Sequence, residues 1–122
     1  MVFEPLQFLE VASRILKDRN YEEEPRWRTA ISRAYYAAFL TVKKRLEEWG
    51  YSFADVHRLH RDVIDGAMKR DSTMGNKLET LFNHRVDADY MVQAFIPPEL
   101  AKNCTRLSEL IIKRIEETKA KQ

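Results

Sequence analysis

The chain has 122 residues with 21 basic and 19 acidic side chains, a net charge of +2 that is too balanced to point to nucleic acid by composition alone. Three glycines and four prolines supply too few turns for an all-β fold, and the length suits one domain, residues 1–122, around a single core. A lone cysteine, Cys104, excludes an internal disulfide, and the chain has neither a signal-like leader nor an apolar run near the ~20 residues of a membrane span, so a soluble cytoplasmic protein is expected.

Leu6, Leu9, Ala12, Ile15 and Leu16 recur at helical spacing behind Pro5, which has no amide hydrogen to lose in a first turn; helix one is predicted over Pro5 to Asp18. A polar loop, Arg19 to Glu24, follows. Its acidic run Glu22-Glu23-Glu24 suits the positive end of the next helix. Helix two carries a long apolar stripe from Trp27 through Ile31, Ala34, Tyr35, Ala38 and Phe39 to Leu46, and Gly50 stands where helices commonly stop. Ser52 or Asp55 can cap helix three, whose stripe is Val56, Leu59, Val63, Ile64, Ala67 and Met68. Asp71 to Asn76 is expected to break the chain.

Helix four then carries Leu78, Leu81, Phe82, Arg85, Ala88, Asp89, Val92 and Phe95, so polar side chains interrupt its stripe halfway along. Pro97-Pro98 closes it and opens helix five, with Leu100, Ala101, Cys104, Leu107, Ile111 and Ile115 inward and a charged, fraying tail from Glu116. The pattern predicts an all-α fold, an antiparallel up-and-down bundle of four long helices plus a shorter helix.

Arg85 and Asp89, four apart, share one helical face, with Asp87 and Tyr90 to either side. An exposed ion pair is the plain reading of that spacing. The arginine, however, falls on the apolar stripe, where a guanidinium needs a paired acceptor or a wet groove. On helix two, Tyr35 and Tyr36 point about 100° apart. Tyr35 therefore joins the core stripe, while Tyr36 and Arg33 belong to an adjacent face.

The segment Ser32-Arg33-Ala34-Tyr35-Tyr36-Ala37, with Arg85 followed by Ala88-Asp89-Tyr90, resembles the HEPN superfamily of small helical proteins. The resemblance covers nearly the whole chain and is to a subgroup often encoded beside minimal nucleotidyltransferases. It implies a homodimer, a nucleotide or RNA ligand, a possible nucleotidyltransferase partner in a toxin–antitoxin-type module, and a groove lined by Arg85, Asp89, Tyr90, Arg33 and Tyr36. In the family's ribonucleases an arginine is followed, after four to six residues, by a histidine, and two copies meet across a dimer to cut RNA without metal. Here Arg85 matches the arginine, but Tyr90, Met91 and Val92 occupy the histidine positions. Tyrosine, with an ordinary pKa near ~10, is a poor acid–base group at neutral pH, which argues against robust ribonuclease activity. In some family toxins a tyrosine near the motif is adenylylated by the partner, and Tyr90 is the inexact analogue.

Two other readings stand beside this one. A metal-independent ribonuclease could use a displaced base, His84 or a histidine of helix three, and a purely structural dimerisation module would need no ligand. His57 and His60 are three apart, with His84 a third histidine, but no carboxylate or cysteine stands at a matching interval; no metal and no cofactor is expected. His57, Arg58, His60 and Arg61 read instead as a polar, partly basic face, and Lys43-Lys44-Arg45 as a solvated one. Cys104 reads as a small core residue.

Overall fold

A computed structural model describes residues 2–118 of the chain. Five α-helices follow in order among these residues: α1 (Leu6–Ile15), α2 (Glu23–Glu48), α3 (Leu59–Arg70), α4 (Ser72–Tyr90) and α5 (Pro98–Glu117), with a 3₁₀ turn over Val56–Arg58 before α3. The fold is an all-α bundle. Among the described residues no helix is long and apolar enough to cross a membrane.

The central element is α2, which packs against each of the other four helices. Its apolar stripe is buried from Ile31 to Leu46, with Trp27 half-buried, but so are Ser32, Ala37 and Thr41 on its other sides. The run of alanines explains how one helix can be enclosed so fully: Ala30, Ala34, Ala37 and Ala38 have no exposure and let neighbouring helices approach closely. A Schellman turn ends α2, with Gly50 N donating to Glu47 O and Tyr51 N to Leu46 O, both at 3.0 Å. Gly50 has φ of 99°, a conformation that other residues reach only with strain.

Several expected boundaries move. Helix one stops at Ile15 rather than Asp18, in a turn where Lys17 N donates to Arg14 O. Helix three begins at Leu59; Val56 lies in the preceding 3₁₀ turn, exposed, because Asp55 caps that turn by accepting from His57 N. The break expected from Asp71 to Asn76 shrinks to Asp71 itself. Its backbone amide closes α3 on Ala67 O while its side chain accepts from Met74 N at 3.2 Å, so one residue ends one helix and caps the next. Gly75 permits the tight corner: a Cβ there would lie 2.6 Å from the backbone N and Cα of Met68.

Helix four ends at Tyr90, not near Phe95, and the physical reason is Arg28 of α2. Its Nη1 donates to the carbonyls of Asp87 (3.2 Å), Ala88 (3.0 Å) and Met91 (3.2 Å), and its Nη2 to that of Ala94 (2.9 Å). A guanidinium thus satisfies the carbonyls that a helix end leaves unpaired and straps the following loop to α2. Val92 and Phe95, expected on the inner stripe, are each 84% exposed as a result. At the other end of the chain α5 continues through Glu117 instead of fraying at Glu116, whose carboxylate pairs with Arg45 of α2 at 2.6 Å. Residues 119–122 of the predicted tail lie outside the described residues.

Candidate functional site

The two segments that stood out in the sequence meet where α2 crosses the last turns of α4. Spacing of four places Arg28, Ser32 and Tyr36 in one column on α2, a polar seam beside the apolar stripe. On α4 the same spacing aligns Arg85 with Asp89. Arg85 is only 9% exposed, and its Nε donates to Asp89 Oδ2 at 3.0 Å while its Nη2 donates to Tyr36 Oη at 2.8 Å and to Tyr90 Oη at 3.4 Å. The same Asp89 oxygen accepts from Ser32 Oγ at 3.1 Å, and Arg33 Nη2 donates to that hydroxyl, also at 3.1 Å. Arg33, Tyr36, Arg85, Asp89 and Tyr90 are therefore brought together.

The guanidinium of Arg85 is caged by aromatic rings, its Cζ lying 5.2 Å from the Tyr36 centroid, 5.3 Å from Tyr90 and 5.8 Å from Tyr35. Arg33 packs over Phe8 at 4.7 Å and over Tyr36 at 5.0 Å, which extends the cationic lining toward α1. Arg85 Nη1 has no hydrogen-bond partner among the described residues, so its two N–H groups are uncommitted. Tyr90, by contrast, is 64% exposed, and with Met91, Val92 and Phe95 it forms an apolar rim beside the groove.

His60 is not on the exposed basic face assigned to it from the sequence. Its ring stacks on Phe39 at 4.5 Å and on Tyr35 at 5.6 Å, and its Nδ1 is 2.6 Å from Tyr35 Oη. Burial, and then the positive charge of Arg85, hold the imidazole below its ordinary pKa, while burial pushes the Tyr35 phenol well above 10. Tyr35 and the neutral imidazole of His60 thus share one short hydrogen bond, whose direction is set by the tautomer of the ring. His57 stays exposed in the 3₁₀ turn, and the side chain of His84 on α4 makes no hydrogen bond or ion pair among the described residues. No three His, Cys, Asp or Glu side chains converge to hold a metal ion among the described residues. Cys104 is buried in α5, where desolvation pushes its thiol up to about 12.

The HEPN domain family matches residues 6–118, a span that contains both motif segments and all five helices to the last residue of α5. The chain belongs to the HEPN family. Membership supports a nucleotide- or RNA-associated role for this HEPN protein. No curated protein matches the sequence.

Sequence reasoning missed three contributors to the site: Ser32 as the second donor to Asp89, the Tyr35–His60 pair, and Arg28 as the strap. Ser32 and Arg28 left a signal in the four-residue column they form with Tyr36, but a polar column on a helix ordinarily faces water. The His60 contact spans 25 residues and carries no local signal.

Proposed function

We propose that this HEPN protein is a homodimer that binds nucleotide or RNA phosphate in the Arg85 groove and partners a minimal nucleotidyltransferase in a toxin–antitoxin-type module, without robust ribonuclease activity of its own. The observation that carries this reading is the state of Arg85. Its Nε and Nη2 are fixed by Asp89, Tyr36 and Tyr90, so the guanidinium is held in one orientation with Nη1 left to donate to an incoming oxyanion. Arg33 adds a second cation on the same wall, and Tyr90, exposed over more than half its surface, offers an aromatic ring against which a base can stack.

The same geometry supports binding over cleavage. Cleavage needs a group that exchanges a proton near neutral pH within reach of the bound phosphate. The residue five beyond Arg85 is an exposed tyrosine, where the family's ribonucleases carry a histidine. Tyr90 is instead suited to accept an adenylyl group, its hydroxyl lying at the groove mouth. The apolar rim of Tyr90, Met91, Val92 and Phe95 favours a second copy of the chain against this end of α4.

Arg85→Ala should weaken nucleotide or RNA binding by ~1–3 kcal/mol, the scale of a charge-assisted hydrogen bond, whereas Tyr90→Phe should leave it nearly unchanged. Tyr90→His should create or raise RNA cleavage, because it places a group titrating near neutrality beside the arginine. Strong cleavage by the unaltered protein, insensitive to changes at both positions, would put the chemistry elsewhere.

One observation favours a second reading, an active metal-independent ribonuclease with a displaced base. His60 shares Tyr35 and Tyr36 as neighbours with the Arg85 cage, and its Nε2 has no hydrogen bond among the described residues. Incubation with RNA and a chelator separates the two readings: cleavage lost in both Arg85→Ala and His60→Gln would establish the enzyme, and an inert protein that still binds would exclude it.

A further inference from the structure

Apart from the Arg85 groove, the first turn of α2 and the first turn of α5 frame a cleft of about 740 Å³, lined by Leu16, Lys17, Arg19 and Tyr21 of the α1–α2 connection, by Glu22, Glu23, Arg26 and Trp27, and by Pro98 and Lys102. Its wall holds an electrostatic anomaly. Arg26 is only 8% exposed, yet it forms no ion pair among the described residues. Its Nη1 donates to Leu16 O at 3.1 Å, its Nε is buried without any partner, and its guanidinium lies 4.7 Å from the Trp27 ring. A buried cation ordinarily sits beside a carboxylate, because desolvation without a counter-charge is costly. Glu22 and Glu23 are near in sequence but do not reach it.

We infer that this cleft is a binding site for a small phosphomonoester, with Arg26 as the buried anchor for the phosphate. Four cations, Lys17, Arg19, Arg26 and Lys102, line the cleft with Glu22 and Glu23, and although Lys102 also pairs with Glu99 at 3.7 Å, the lining keeps a positive excess that suits an anion. Glu22 and Glu23 at the amino end of α2 and Pro98 at that of α5 border the cleft, so the positive ends of two helix dipoles lie beside it. The volume is that of a small-molecule pocket rather than of a bare oxyanion. Leu16, Tyr21, Trp27 and Pro98 give the remainder of the ligand an apolar and aromatic wall, so a flat or apolar body is expected on the phosphate. The site uses none of the residues of the Arg85 groove and stands whether or not that groove binds RNA.

Titration of the full chain with phenyl phosphate, inorganic phosphate and phenol, followed by calorimetry and by the Trp27 indole resonance, tests the assignment. Phenyl phosphate should bind saturably and about tenfold more tightly than inorganic phosphate, with phenol silent. Arg26→Gln should weaken the phenyl phosphate binding that the Trp27 resonance reports at least about tenfold. Should Arg26→Gln fold poorly, the surface double variant Lys17→Ser with Lys102→Ser should still weaken binding severalfold and steepen no part of the melting curve. Absence of saturable binding at millimolar ligand, equal affinity for phenyl and inorganic phosphate, or binding lost in Arg85→Met but kept in the Arg26 and lysine variants would each overturn the site.

Discussion

Asp89→Ala should destabilise this HEPN protein more than Arg85→Met, although the two residues form one ion pair. The asymmetry follows from burial. The Arg85 side chain is 10% exposed and that of Asp89 is 27% exposed. Removing the carboxylate leaves the cation in its aromatic cage with only the hydroxyls of Tyr36 and Tyr90 as acceptors. Breaking a fully buried pair in this way costs about 3–5 kcal/mol, and the open side of the groove lowers the expectation to about 2–3 kcal/mol. Methionine at position 85 keeps most of the apolar stem, while Asp89 retains Ser32 Oγ at 3.1 Å and reaches water, so the expected loss is about 1–2 kcal/mol. In the double variant neither charge is stranded, and its cost should fall short of the sum of the single costs by about 1 kcal/mol or more. Urea unfolding followed by circular dichroism, at neutral pH in buffer free of phosphate, measures all four proteins. A larger loss in Arg85→Met, or additivity within about 0.5 kcal/mol, would refute the picture of a cation caged against a single carboxylate.

Gly75→Ala should cost about 1–3 kcal/mol, because the new methyl would meet the Met68 backbone at 2.6 Å, and an unchanged melting temperature would contradict the close α3–α4 corner. Arg114, by its hydrogen bond, holds the Asp71 carboxyl below the usual carboxylate range. The stabilisation this gives is complete above the ordinary value near ~4 and is lost as pH falls through the lower folded value, so Asp71→Asn, which keeps a capping oxygen, should flatten the acid limb of the stability–pH curve. An acid limb identical in the two proteins would remove the Asp71–Arg114 pair as its cause. Sedimentation at high micromolar concentration should show a dimer that Val92→Asp with Phe95→Asp converts to monomer; a monomeric parent protein would end the proposal that a second copy covers the rim of α4.

What the sequence determined by itself was the periodic part of this protein. Five helices, the inward stripe of α2, the stop at Gly50 and the start at Pro98 are all set within a turn or two of the chain, where side-chain spacing and backbone chemistry act locally. The anomaly at Arg85 and Asp89 was legible for the same reason: a charge on an apolar stripe violates a local rule. Tertiary structure decided where α4 stops, since nothing near Tyr90 in sequence ends a helix and the guanidinium that does so comes from Arg28, some sixty residues earlier. It also decided that His60 leaves its polar neighbours for the rings of Tyr35 and Phe39, and that Arg26 lies buried without a counter-charge among the described residues. Burial and pairing between distant segments depend on which faces come together when α2 is enclosed on all sides, and helical periodicity assigns a residue to a face without saying what that face will meet.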